Sequence, residues 1–225
     1  MDNGTRSLPR RQVLAAVGTG TAGLVAGCAG ASDDGGDGAT PRAERLSPPV
    51  MGDPDAAVTL AVFEDYACPH CADYNTEGFP ELEERYVAPG EIRYEHRDLP
   101  IPVAEPGSFQ AANAARAVQD RHGDGAFWAY AEALFERSGD IPGEAPALFA
   151  TIADEQGHDG DAIREAAVER VYERTVQSDR EEAVEIGVEA TPAFVLNGEV
   201  VASGFGSETV EDISAALADA LSETG

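Results

Sequence analysis

The spacing of apolar residues predicts a strand followed by a helix near the start of the folded part. Residues 57–63 form a short apolar run rich in β-branched and aromatic side chains, preceded by Pro54 and followed by acidic residues. This pattern is typical of a buried strand. From Cys68 to about Tyr86, large apolar residues recur every three to five positions and predict a helix, which we expect to kink near Pro80.

A second strand is predicted over residues 91–98. It ends before Pro100 and Pro102, which exclude a regular hydrogen-bonded ladder. Together with the preceding strand and helix, this segment makes a βαβ unit.

A long helical region is predicted from about residue 108 to 186. Its Ala-rich repeats favour close helix packing. An aromatic group within it is interpreted as helix core in preference to a ligand patch: Phe127, Trp128, Tyr130, Leu134 and Phe135. The predicted breaks fall at 122–125, 138–143 and 157–160.

The chain ends in a predicted hairpin and a helix. Two apolar runs, 193–196 and 199–202, are joined by Asn197-Gly198, a strong hairpin signature because both turn positions need positive φ. An amphipathic helix follows over 208–221. The order of these elements predicts an α/β protein with a thioredoxin fold and an inserted helical domain.

We therefore divide the chain into four parts. Residues 50–103 and 187–222 form the thioredoxin-fold domain, and 104–186 form the inserted helical domain. Residues 1–28 resemble an export signal, and 29–49, poor in apolar residues, are expected to be a flexible acidic and glycine-rich linker.

Two motifs at the N-terminus indicate export. Arg10-Arg11-Gln12-Val13-Leu14 resembles the twin-arginine motif, and Leu24-Val25-Ala26-Gly27-Cys28 resembles a lipobox. Lipidation of Cys28 would anchor the protein to the outer face of the cytoplasmic membrane and remove this sulfur from disulfide chemistry. The alternative is a free cysteine in a tail.

The charge of the chain is strongly acidic. Its formal net charge is -27, and all 15 basic residues are arginine. Nucleic acid and anionic lipid surfaces are therefore unfavourable partners. Acidity spread along the whole chain is similar to that of halophilic proteins, and we expect a hypersaline source; an ordinary acidic protein is the alternative.

Candidate chemistry is concentrated in Cys68-Pro69-His70-Cys71. At a strand-to-helix junction, unpaired N–H groups and the helix dipole would stabilise a Cys68 thiolate, with Cys71 one turn further on to resolve the mixed disulfide. A partly protonated His70 would add a hydrogen-bond donor. This exchange needs no cofactor.

Two stretches of the sequence resemble those of a known protein family. The string Asp65-Tyr66-Ala67-Cys68-Pro69-His70-Cys71 and the later residues 187–194, with Thr191-Pro192 near their end, are similar to the DsbA-like thioredoxin family. The resemblance implies a cis bond between Thr191 and Pro192, which would lie against the active pair and bind extended substrate chains. It also implies exported, thiol-containing protein substrates and a membrane partner that reoxidises the enzyme.

The sequence departs from the family pattern at two positions. Val62 stands where many relatives have a buried acid, six residues before the first active cysteine, and Ala190 stands where Gly is frequent. Glu64 or Asp65 could replace that acid in proton transfer, but we expect both to be a solvated or helix-capping pair.

Other functions remain open. A reductase or isomerase of the same fold would differ in the reduction potential of the pair. A lipid-anchored copper chaperone would bind Cu(I) through both thiols and a distant histidine. Half a zinc site would need two further ligands. His96, at a strand end, is expected to be a surface or packing residue.

Overall fold

Five strands form one mixed sheet in this computed structural model, which describes residues 42–224. The predictions for the signal segment, for Cys28 and for most of the linker lie outside these residues. Along the sheet the order is β1-β3-β2-β4-β5. The strands are β1 Val50–Gly52, β2 Thr59–Glu64, β3 Arg93–Asp98, β4 Ala193–Leu196 and β5 Glu199–Ser203.

The central strands confirm the predicted βαβ unit. β2 and β3 are parallel, and their register places Val62 beside His96 and Glu64 beside Asp98. β4 runs antiparallel to β2 and joins β5 through Asn197 and Gly198, both at positive φ as the hairpin requires. β1 is not predicted by the sequence, because its three residues, which pair with β3 at the sheet edge, are too few for a periodic pattern.

The predicted helix after Cys68 is confirmed, but it is irregular in a different way. It consists of α1 Pro69–Asp73, a π-helical segment Tyr74–Gly78, α2 Phe79–Leu82 and a second π-helical segment Glu83–Val87. Pro80 lies in the first turn of α2, where the missing N–H costs little. The irregularity is thus spread over two wider turns.

The helical region contains one break more than predicted. The extra break follows Val168, where a helix ends, and the chain then turns at Arg170, which has φ 50°. The large apolar side chains between Phe127 and Phe135 lie in the core as predicted. Trp128 is only partly buried and packs against both main apolar clusters. The helices are α3 Gly107–His122, α4 Asp124–Glu136, α5 Ile141–Glu155, α6 Gly160–Val168, α7 Glu173–Ile186 and, after the hairpin, α8 Thr209–Thr224.

Residues 42–49 contact the folded part, although they belong to the segment expected to be a linker. The Ala43 amide donates to the Val171 carbonyl, and the Leu46 amide donates to the Thr175 hydroxyl. The Ser47 carbonyl accepts a hydrogen bond from Gln119. The folded part therefore begins before residue 50, earlier than the sequence indicated.

A buried ion-pair cluster joins the sheet to the helical insertion. Arg116 of α3 is fully buried and donates from Nε to Asp98 at 2.6 Å and from Nη2 to Asp179 of α7 at 2.8 Å. Such a cation is stable in the interior only when its donors are paired.

Within residues 42–224, no helix is long and apolar enough to cross a bilayer.

Candidate active site

Cys68 and Cys71 lie where β2 gives way to α1. Cys68 is the N-cap of α1, with extended backbone angles, and Pro69 occupies the first turn. The loop that leads to Cys68 is held by Asp65, whose carboxylate accepts hydrogen bonds from the amides of Ala67 and Ile101. Both cysteines are free thiols, and Cys68 is 8% exposed whereas Cys71 is fully buried. Cys68 is therefore the more accessible of the two sulfurs.

The surroundings of Cys68 favour its thiolate. A hydrogen bond from the Cys71 thiol, helped by Thr191 and by the backbone amides of Cys71 and His70, lowers the pKa of Cys68 to about 5 against the opposing effect of burial. The two amides are unpaired donors of the first helical turn. At neutral pH the reduced Cys68 is thus an anion and a good leaving group.

Cys71 is in the opposite condition. Burial, the hydrogen bond to Cys68 and the negative charge of Glu64 all raise the pKa of the Cys71 thiol far above its ordinary value. The pair therefore holds one proton, on Cys71. This asymmetry distinguishes a leaving sulfur, Cys68, from a sulfur that must exchange a proton whenever it reacts.

Pro69 and His70 are exposed. His70 acts on Cys68 through its backbone amide, which is one of the groups that lower the Cys68 pKa.

Thr191 and Pro192 lie against the active pair. The Thr191-Pro192 bond is cis, as the family resemblance implied. The Thr191 carbonyl lies 3.6 Å from the Cys68 sulfur. Among the described residues, the Thr191 backbone makes no backbone–backbone hydrogen bond, and its buried hydroxyl has no partner of normal geometry. Its backbone amide is thus available to an extended chain, and its hydroxyl faces no competing acceptor among the described residues.

Three residues behave differently from what the sequence suggested. Glu64 is 2% exposed and Asp65 1% exposed, so the expectation of a solvated pair is wrong. Asp65 does fasten the loop before α1, which agrees with the capping half of that expectation. His96, expected at the surface or in simple packing, is 1% exposed and lies within a polar network.

Strand geometry explains how Glu64 reaches the site. Side chains two residues apart in a strand share a face, so Glu64 follows Val62 on one face of β2, ~7 Å further along. The family position of the buried acid is apolar here, and a carboxylate stands at the next position of the same face. This alternation is visible in the sequence and could have shown that Glu64 is buried.

The thiols have no metal-binding neighbourhood in the described part of the chain. Within residues 42–224, no group of three or more His, Cys, Asp and Glu side chains is arranged to hold a metal ion.

Comparison with known proteins places the chain in a family. A family model described as Thioredoxin matches residues 44–219. Disulfide bond formation protein D of Bacillus subtilis is 28% identical over 156 residues, which cover 68% of this chain and 69% of that protein. A Salinispora arenicola protein named Na(+)/H(+) antiporter NhaA 1 is 31% identical over 175 residues, and the match spans 25% of its length.

Solved structures show the same fold. The crystal structure of oxidised BdbD from Bacillus subtilis superposes with a TM-score of 0.69 at 24% identity and covers 81% of this chain and 98% of its own. DsbA of Chlamydia trachomatis gives a TM-score of 0.66 at 19% identity and covers 79% and 94%. The chain therefore belongs to the thioredoxin family and is a DsbA-like thiol:disulfide oxidoreductase whose thioredoxin fold carries an inserted helical domain.

Proposed function

We propose that this protein is an oxidase that donates the Cys68–Cys71 disulfide to exported proteins. The observation that carries the proposal is the lowered pKa of Cys68, about 5. A thiolate that is stabilised in the reduced enzyme makes reduction of the enzyme favourable, and the enzyme is then a strong oxidant.

The reaction conserves atoms and charge. A substrate thiolate attacks Cys68, a mixed disulfide forms, and Cys71 leaves and takes up a proton. A second substrate thiolate then attacks the same substrate sulfur, and Cys68 leaves as the stable thiolate. The substrate loses two electrons and two protons. The enzyme gains both electrons and one proton, on Cys71, and the other proton goes to solvent.

Thr191 supports recognition of unfolded substrates. Among the described residues its backbone amide has no backbone hydrogen-bond partner, and its carbonyl lies 3.6 Å from the Cys68 sulfur. An extended substrate could add to it as a strand through backbone hydrogen bonds, with little dependence on substrate sequence. We propose Thr191 and Pro192 as the substrate-binding residues, and Pro69 and His70 as residues that tune the thiolate.

We also propose where the enzyme works. The twin-arginine motif and the lipobox at Cys28 support export and a lipid anchor on the outer face of the cytoplasmic membrane. There the enzyme would meet exported thiol proteins and a membrane redox partner that restores its disulfide. The name of the Bacillus subtilis relative, a disulfide bond formation protein, supports the same assignment.

The test is oxidation of a reduced, unfolded substrate protein in concentrated salt. The oxidised enzyme should form substrate disulfides stoichiometrically, and Cys68→Ser should be inactive. Cys71→Ser whose Cys68 is first loaded with thionitrobenzoate as a mixed disulfide should exchange this leaving group for a substrate thiol and accumulate as a mixed disulfide through Cys68. If the enzyme only reduces or reshuffles disulfides, the oxidase proposal is wrong. If the reduced protein instead binds Cu(I) tightly without thiol exchange, a copper-handling role replaces it.

A further inference from the structure

A buried row of ionisable groups lies beneath the active pair. The Glu64 carboxylate lies 3.3 Å from His96 Nδ1, and His96 Nε2 lies 3.2 Å from the Asp98 carboxylate. Asp98 in turn accepts the 2.6 Å hydrogen bond from Arg116. All four side chains are at most 1% exposed, so their charges are balanced by one another and not by water.

The register of the sheet builds this row. Glu64 and Asp98 are neighbours on the parallel strands β2 and β3, and His96 precedes Asp98 by two residues on the same face. The imidazole is clamped by aromatic rings, stacked on Tyr66 at 5.3 Å and close to Phe127 at 5.4 Å. It is therefore fixed in position and can bridge both carboxylates.

One end of the row reaches the resolving cysteine. The Asn75 side-chain amide donates to Glu64 at 2.6 Å and to the backbone carbonyl of Cys71 at 2.9 Å, so one side chain joins the carboxylate to the α1 turn that carries Cys71. The charge of Glu64 is one cause of the raised pKa of the Cys71 thiol. Repulsion between the two negative charges therefore makes the state in which Glu64 and Cys71 are both ionised unfavourable.

We propose that Glu64 exchanges a proton with Cys71 during thiol–disulfide exchange, and that His96 is the positioning residue that holds the Glu64 carboxyl and sets the pH at which it works. The proposal rests on Cys68 and Cys71 being the exchanging pair, and it is independent of the direction of exchange.

The proton balance is simple. When the Cys68–Cys71 bond is opened, the electron pair of that bond goes to the Cys71 sulfur, and the proton of the Glu64 carboxylic acid passes to it. Glu64 is left as a carboxylate beside the His96 imidazole and is reprotonated from solvent before the next turnover. In the reverse step, Glu64 takes the proton from the Cys71 thiol as that sulfur attacks.

His96 controls this step through charge. Burial raises the pKa of Glu64, and its hydrogen bond and charge interaction with His96 oppose that rise. Burial alone would lower the pKa of His96, but Asp98 and Glu64 reverse this, and the net pKa of His96 is raised. Arg116 and His96 overcome the effect of burial on Asp98 and keep its pKa low. An ionised Asp98 thus favours a charged His96, which in turn favours an ionised Glu64.

Several other side chains lie close to Glu64 or His96. The Tyr66 hydroxyl lies 3.2 Å from His96 Nε2, and the apolar ring of Trp128 borders the imidazole from α4. The groups that share the electrostatic environment of Glu64 or His96 are Cys68 and Cys71 at the start of α1, Tyr66 before it, Tyr74 and Asn75 after it, Tyr94 and Asp98 on β3, and Arg116 on α3.

The test measures the rate at which a small dithiol opens the disulfide of the full-length protein, as a function of pH. Acid quenching, alkylation of free thiols and mass spectrometry count the open and closed forms directly. Rates are divided by the thiolate fraction of the dithiol, so that the remaining pH dependence belongs to the protein.

Glu64→Gln should lower the corrected rate about a hundredfold or more at acid pH, within the range of general acid catalysis, and should remove the inflection of the wild-type profile. His96→Gln keeps a hydrogen-bond donor but cannot carry charge. It should move the inflection to higher pH and keep the plateau rate at acid pH. Tyr172→Phe, which removes a partly buried hydrogen bond to Asp120 in the helical insertion, should leave the profile unchanged.

The Glu64 and His96 variants test separate parts of the proposal. If Glu64→Gln retains the inflection, Glu64 is not the proton-exchange group. If His96→Gln only slows exchange at every pH, His96 has a purely structural role. If His96→Gln fails to fold, Tyr66→Phe, which removes one hydrogen bond to His96, should shift the same inflection, and an unmoved inflection would overturn the role of His96. Exchange that persists in Cys68→Ser would instead remove the proposed function itself.

Discussion

Glu64 and His96 stand on adjacent parallel strands with Oε2 and Nδ1 3.3 Å apart, and both side chains are only 1% exposed. Neither side chain belongs to the contiguous cysteine motif. The sheet register brings them together. The site thus combines a buried thiol pair, of which Cys68 is the more accessible sulfur, with a second buried pair that can hold a proton.

The first prediction concerns the Thr191 hydroxyl. Thr191 is among the groups that lower the pKa of Cys68, and within residues 42–224 its hydroxyl has no other partner. Thr191→Val keeps the shape of the side chain and removes the donor. We expect the Cys68 pKa to rise by about one unit, since a hydrogen bond to a charged group contributes ~1.5–3 kcal/mol before the site relaxes.

The ultraviolet absorbance of the thiolate, followed during a pH titration of the reduced protein, measures this change. Thr191→Ser is the matched control because it retains the hydroxyl, and its Cys68 pKa should stay close to that of the wild type. An unchanged pKa in Thr191→Val would show that the thiolate depends on the thiol of Cys71 and the backbone amides alone.

The second prediction links the Cys68 thiolate to stability. The pKa of Cys68 falls from 9.0 to about 5 on folding. A lowered pKa in the folded state stabilises the fold fully above pH 9, and this stabilisation is lost as the pH falls toward 5. Between pH 6 and 8, the free energy of unfolding of the reduced protein, relative to reduced Cys68→Ser, should therefore rise by ~1.4 kcal/mol per pH unit.

Chemical denaturation at several pH values measures this slope. Oxidised wild-type protein has no thiolate and serves as the control, and it should not show the same slope. A flat difference between the reduced proteins would mean that Cys68 is not an anion at neutral pH.

The third prediction concerns the buried cation. Arg116→Ala leaves the carboxylates of Asp98 and Asp179 in the interior without their partner. Breaking such a pair costs ~3–5 kcal/mol of unfolding free energy. Arg137→Ala breaks a surface pair with Glu155 and should cost ~1 kcal/mol or less. Equal losses in thermal or chemical unfolding would contradict the buried role of Arg116.

The fourth prediction concerns salt. With a net charge of -27 the folded chain repels itself, and concentrated salt reduces the screening length to ~3 Å at 1 M. If the acidic composition is a halophilic adaptation, the free energy of unfolding should rise steadily with KCl concentration into the molar range. A stability that does not increase with salt would favour an ordinary acidic protein.

The sequence predicted the local features of this protein well. The strands, the Asn197-Gly198 hairpin and the Cys68–Cys71 junction depend on neighbouring residues, whose periodicity and turn chemistry are visible in one dimension. The environments of Glu64 and His96 depend on the pairing of β2 with β3, which a list of residues does not contain.

Other features were missed for related reasons. β1 is three residues long, and the contacts of residues 42–49 are made with α3, α7 and the turn before α7, far away in the sequence. The burial of Arg116 could have been predicted, because this residue interrupts the Ala-rich face of a helix at a position that packing requires to be buried. Its partners Asp98 and Asp179 lie on separate elements and could be identified only from the fold.

The reduction potential of the Cys68–Cys71 pair tests the central claim most directly. The protein is equilibrated with defined ratios of reduced and oxidised glutathione in concentrated salt, and the fraction of free thiols is measured after acid quenching. A stabilised Cys68 thiolate predicts a potential well above that of the glutathione couple, as an oxidase requires. A potential near or below that of thioredoxin would contradict the oxidase and identify the protein as a reductase.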